Sequence, residues 1–187
     1  MATNTYVALQ STTLGSAAAS ISFTSINQTY TDLICVLNMT RSGAGNNLGL
    51  RINGDTATNY SETYIEGDGS TALGGRNSNT NTMRIAAIQG GFGTDLATVT
   101  IHLQNYSNST TYKTVLTRYS QASTIVGTSV GLWRNTAAVT SIELGTFGGA
   151  NFGAGTTATI YGIAAASVGA KATGGIIYSD DTYYYHV

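Results

Sequence analysis

The chain contains no proline at all. Proline is a common blocker of edge-strand pairing, so any exposed sheet edge here needs another protection, and oligomerisation is the simplest. It has one cysteine, Cys35, set in the apolar run 33–37, which excludes a disulfide framework and marks a buried thiol. Charge is equally scarce: 9% of residues are Asp, Glu, Lys or Arg, against roughly 25% in an ordinary soluble domain. The net charge is −1 and the basic residues form no cluster, which argues against nucleic acid as a partner. No run is long and apolar enough for a spanning helix, and the start MATNTYVALQ has no basic stretch leading into an apolar one. A membrane is therefore not expected as a partner, and synthesis in a cytoplasm without a secretion address is.

Thr, Ser, Asn and Gly fill the place of the missing charges, together with 12 tyrosines. Disordered chains are normally rich in charge, and this one is not. Its Thr, Tyr, Val and Ile suit a pleated surface instead. Solubility then rests on hydroxyls and amides, as in proteins that live inside a larger assembly.

The stretch 125–163 organises the rest. It holds three strand-like runs, the only tryptophan (Trp133), and turns of Gly, Asn, Thr and Ala. Before it, Leu48, Leu50 and Ile52 alternate with Gly49, Arg51 and Asn53, and Val99, Ile101 and Leu103 with Thr98, Thr100 and His102. Lys113, Val115, Thr117 and Tyr119 oppose Tyr112, Thr114, Leu116 and Arg118, while 33–37 is apolar on both faces, as in a central strand. The segment 14–20 and the Gly/Ser/Asn-rich 66–81 read as loops. Counting about ten strands, spaced by about 8–12 residues, predicts an all-β, antiparallel two-sheet sandwich of jelly-roll type with no amphipathic helix. The expected divisions are a sandwich domain over 1–164, a small-residue linker over 165–175 and an aromatic arm over 176–187, two short strands around Asp180 and Asp181. Such an arm has little core of its own, so Tyr183, Tyr184, Tyr185 and His186 are expected to bind a partner.

Several phrases, SISFTSINQTYTDLICVL, NLGLRINGDTATNYSETYIEGDG, TYKTVLTRYS, VGLWRNTAAVTSIEL and ATIYGIAA, resemble a family of small β-sandwich virion proteins of tailed bacteriophages, labelled structural, tail-fibre or capsid-surface proteins. The resemblance runs from about Ser20 to Ala165. It implies a jelly-roll module displayed on the virion surface, a trimer in contact with major capsid or tail proteins, and it transfers no catalytic residue.

The residues offer little chemistry of their own. Gly127-Thr-Ser-Val-Gly131 matches a nucleophile elbow by letter, but Ser129 falls inside a strand and no helix pattern follows. His102 and His186 stand apart from any metal-ligand cluster, so no metal or other cofactor is expected. Glu62 and Glu66 share one strand face and, with Asp68, offer a weak glycosidase grouping; with Asp55 the same acids offer a calcium loop, a better case than hydrolysis but one whose spacing matches no EF-hand. Trp133, Tyr60, Tyr64, Tyr106, Tyr112 and Tyr119 read as core or subunit contacts ahead of a sugar platform. The expectation is a non-enzymatic capsid decoration protein. The alternative is a tail appendage that recognises host surface glycan through Tyr64, Glu66 and Asp68.

Overall fold

The computed structural model describes residues 5–43, 48–86, 93–121, 125–147, 149–164, 177–179 and 184–186. The fold is an all-β sandwich of jelly-roll type, and the described residues include no helix. Twelve strands form its two antiparallel sheets: β1 (Tyr6–Thr13), β2 (Ser20–Phe23), β3 (Asp32–Met39), β4 (Leu48–Ile52), β5 (Tyr60–Gly67), β6 (Ala72–Thr80), β7 (Met83–Ala86), β8 (Ala97–Leu103), β9 (Lys113–Gln121), β10 (Ile125–Trp133), β11 (Ile142–Gly145) and β12 (Thr157–Ile163). The large sheet runs β1-β12-β3-β8-β9-β10-β5-β6 and the small one β2-β11-β4-β7. Pairing is nested: β1 with β12, β2 with β11, β3 with β8 and β4 with β7 each enclose the next, while β5 with β10 extends the large sheet past β9. That nesting is the jelly-roll wrap.

Alternation decides which face is inside. Leu33, Cys35, Leu37, Val99, Ile101, Leu103, Val115 and Ile160 of the large sheet meet Ile21, Phe23, Leu48, Leu50, Ile52, Ile142 and Leu144 of the small one in a single core. Cys35 is wholly buried there, and burial pushes its thiol up to about 12. The outer face of β3 is less covered than its apolar run suggests, because Ile34 and Val36 are only half-buried.

Strand glycines have a definite use here. Gly127 is the direct cross-strand partner of Tyr119, and Gly75 of Tyr64. A Cβ at Gly127 would lie 2.5 Å from the Tyr119 ring, and one at Gly75 2.5 Å from the Tyr64 hydroxyl. Each glycine thus leaves the seat on which a neighbouring ring lies, so two weak strand formers support a large buried surface. On the small sheet Phe147 lies over Gly49 and Gly145 in the same way, with the Arg51 guanidinium 4.1 Å from its ring centre.

The expected loop 66–81 is corrected. Strand β5 continues to Gly67, and β6 follows after a turn at 68–71 closed by Asp68, whose Oδ1 accepts from the backbone of Ser70 and Thr71. Strand β6 is an edge strand exposed along most of its length, so backbone pairing with β5 holds it and no apolar alternation is needed to specify it. The arm is a two-stranded hairpin, β13 (Ile177–Ser179) with β14 (Tyr184–His186). The linker 165–175, Asp180, Asp181 and Tyr183 lie outside the described residues.

Candidate functional site

The outward face of the large sheet is built by strict register. One row runs Tyr161, Ile34, His102, Leu116, Val130, Thr63, Arg76 from β12 to β6. The next runs Thr159, Val36, Thr100, Arg118, Thr128, Ile65, Gly74. Alternation points these side chains away from the small sheet.

Two regions stand out on this face. Over β9, β10 and β5 the surface is apolar: Leu116 is 43% exposed, Val126 60%, Val130 50% and Ile65 66%. Val130 pairs with Leu116 and Thr128 with Ile65, so the four residues surround the cross-strand pair of Thr128 and the exposed Arg118. Among the described residues no carboxylate interrupts this patch, because β5 carries its acids on the other side. Glu62 and Glu66 point inward and are buried, while Ile65 between them faces out. A strand that buries carboxylates and exposes isoleucine breaks the usual rule, and such breaks gather at functional surfaces.

Towards β1 the face becomes polar and aromatic. A hollow of about 400 Å³ lies among Tyr6, Ile34, Thr100, His102, Leu116 and Arg118. Tyr6 packs edge-to-face on Tyr161, with ring centres 6.4 Å apart. His102 Nε2 lies 2.8 Å from Asp32 Oδ2, and Asp32 Oδ1 accepts from the Asn105 backbone N–H at 2.7 Å. Both oxygens of that carboxylate are thereby occupied. Asp32 was not singled out from the sequence, since only cross-strand register brings it to His102.

The residues expected to bind glycan do not come together. Tyr64 and Glu66 lie under the sheet, with Tyr119 Oη donating to Glu66 Oε2 at 2.7 Å, while Asp68 is exposed and bound within its own turn. Alternation explains the result: residues 64 and 66 share the inward face of β5. Among the described residues no three His, Cys, Asp or Glu side chains gather where they could hold a metal ion. Asp55 is bound instead by Ala57, Asn59 and Trp133.

The aromatic residues read as core or contacts ahead of a sugar platform are mostly core. Trp133, Tyr60, Tyr64, Tyr106 and Tyr119 are buried, and only Tyr112 of that set is exposed. Ser129 is buried in mid-strand, bonded to the Thr117 hydroxyl at 2.8 Å, which is no setting for a nucleophile. Glu62 and Glu66 do share a face, as read, but it is the buried one, closed to a polysaccharide. Tyr184, Tyr185 and His186 form β14 opposite Ser179, Tyr178 and Ile177.

No protein-family model matches the chain, and no curated protein does. Solved structures similar to it include a galectin from Caenorhabditis elegans, at 8% identity and a TM-score of 0.36, covering 80% of this chain and 94% of the galectin. Another is a protein of unknown function from Shewanella oneidensis, at 8% identity and a TM-score of 0.21, covering 90% of this chain and 80% of the other. Neither likeness is close enough to bear on ligand or role.

Proposed function

We propose that this chain is a non-enzymatic structural protein of a tailed-bacteriophage virion, a capsid decoration protein that assembles as a trimer on the particle surface. The observation that carries the assembly role is the carboxylate-free apolar patch of Ile65, Leu116, Val126 and Val130 on the outer face of the large sheet. Patches of this kind mark contact surfaces, and a second copy of the chain is the partner that would also relieve its proline-free edges. The sequence resemblance to phage virion proteins supplies the setting. The burial of Ser129, Glu62 and Glu66 supports a role without catalysis. The work of such a protein is mechanical: binding across shell subunits stabilises the shell by linkage. The aromatic arm after Gly175 is the natural clasp.

A second reading, a tail appendage that recognises host surface glycan, draws on the hollow beside Tyr6. Copy number separates the two. Quantitative mass spectrometry of purified particles, scaled to the major capsid protein, should find this chain in proportion to the shell subunits. A small fixed number per particle would move it to the tail, and its absence from particles would sink both readings.

A further inference from the structure

We propose that the hollow between Tyr6 and Arg118 is a binding site for a carboxylate-bearing sugar residue, a hexuronate. The inference goes beyond the decoration reading: the hollow adjoins the apolar patch and shares Leu116 and Thr128 with it, but its recognition chemistry is different.

Arg118 supplies the first observation. It is exposed on the outer face of β9, and no hydrogen bond or ion pair among the described residues holds it. Asp32, the carboxylate that holds His102, makes its contacts with His102 and the Asn105 backbone, and no ion pair among the described residues joins it to Arg118. The hollow therefore presents a guanidinium that no carboxylate among the described residues pairs, and its lining includes no Asp or Glu. A planar fork of donors is matched by a carboxylate.

The rest of the wall suits a sugar ring. Tyr6, braced edge-to-face by Tyr161, lines one side of the hollow and offers a ring against which the C–H face of a pyranose can lie. Ile34 and Leu116 continue that apolar side, while Thr100 contributes a hydroxyl. His102 is oriented by Asp32, which leaves its second ring nitrogen for a sugar hydroxyl. The volume, about 400 Å³, lies within the ordinary range of small-ligand sites. An apolar wall, a few fixed polar groups and one unpaired cation select a ring with an acid group over a neutral one.

The test uses the full chain, labelled with nitrogen-15, titrated with sodium glucuronate and, in parallel, with glucose at matched ionic strength. The amide signals of Thr100, His102 and Arg118 should move to saturation with glucuronate and stay in place with glucose. Arg118→Gln should weaken glucuronate binding by about tenfold or more with an unchanged melting temperature, since its side chain is exposed and unpaired; Tyr6→Ala should weaken binding as well, with a lower melting temperature from the lost contact with Tyr161. The proposal is overturned by signals that do not saturate, by an equal response to glucose, or by Arg118→Gln binding as tightly as the parent. None of these outcomes depends on the copy number in particles, so the two readings fail separately.

Discussion

The indole N–H of Trp133 donates a 2.7 Å hydrogen bond to Oδ2 of Asp55. The same oxygen accepts from Asn59 Nδ2 at 2.8 Å, and Oδ1 accepts from the Ala57 backbone at 2.8 Å. The Tyr60 hydroxyl closes the cluster, accepting from Ile52 N and donating to the Asp55 carbonyl. One acidic side chain thus ties the end of β10 to the turn between β4 and β5.

Removing it leaves the N–H of a buried tryptophan without its acceptor. Asp55→Ala should cost about 2 kcal/mol in urea denaturation, the usual penalty for an orphaned buried donor plus lost turn bonds. Asp55→Asn, which keeps an acceptor oxygen, should recover part of it. Burial pushes this carboxyl up, but the bonds from Asn59, Trp133 and Ala57 outweigh it and hold it below its ordinary value. Its contribution is therefore present above about pH 3.9, the value in an unfolded chain, and lost as pH falls through the lower folded value. An unchanged midpoint in Asp55→Ala would remove the Trp133 contact from the list of stabilising ones.

Glu62 has the opposite sign. Burial raises its carboxyl, only partly opposed by Asn77 and Arg84, and its Oε1 has no hydrogen-bond partner. A raised carboxyl contributes fully below its unfolded value of about 4.3, and that contribution disappears as pH rises through the folded value. Glu62→Gln should therefore raise neutral-pH stability by about 1 kcal/mol and flatten the pH dependence on the acid side of neutrality. Thermal melting from pH 4 to 8 checks it; a lower midpoint in the glutamine variant at neutral pH would refute the assignment.

The apolar patch makes a separate prediction about assembly. Val130→Lys and Ile65→Lys place a charge on an exposed face, where substitutions typically move stability by less than about 0.5 kcal/mol. If the patch joins copies of the chain, light scattering will show both variants at lower mass than the parent at equal concentration. Ser22→Lys, exposed on the outer face of the small sheet, should keep the parental mass. Parental mass in all three would take the patch out of the interface.

Much of the fold was legible from period-two alternation, and the reason is visible residue by residue. Leu48, Leu50 and Ile52, Val99, Ile101 and Leu103, and Met83 and Ile85 are buried where alternation puts them. Strand β6 was illegible because an exposed edge strand is held by its backbone, and ALGGRNSNT has no apolar alternation to show. The candidate site was harder still. The hollow joins residues of β1, β3, β8, β9 and β10, whose register no single strand reveals, and the Asp32–His102 pair spans 70 positions. Strand β5 misled in its own way: its acids looked like surface groups, yet Tyr60 and Tyr64 share their face and commit it to the interior.

The pairing of glycine with tyrosine gives the last prediction. Gly→Ala inside a strand ordinarily gains about 0.5–1 kcal/mol, because alanine loses less backbone freedom on folding. At Gly127 the sign should reverse, since the new methyl would sit 2.5 Å from Cζ and 2.6 Å from Oη of Tyr119. Tyr119 would have to leave its seat and loosen its bond to the buried Glu66 carboxylate, so Gly127→Ala should cost about 2 kcal/mol. In a Tyr119→Ala background the clash is gone, and the same substitution should become neutral or stabilising. A double-mutant cycle in urea measures the coupling. Equal costs in the two backgrounds would mean that Gly127 is needed for its own backbone and not for the ring that rests on it.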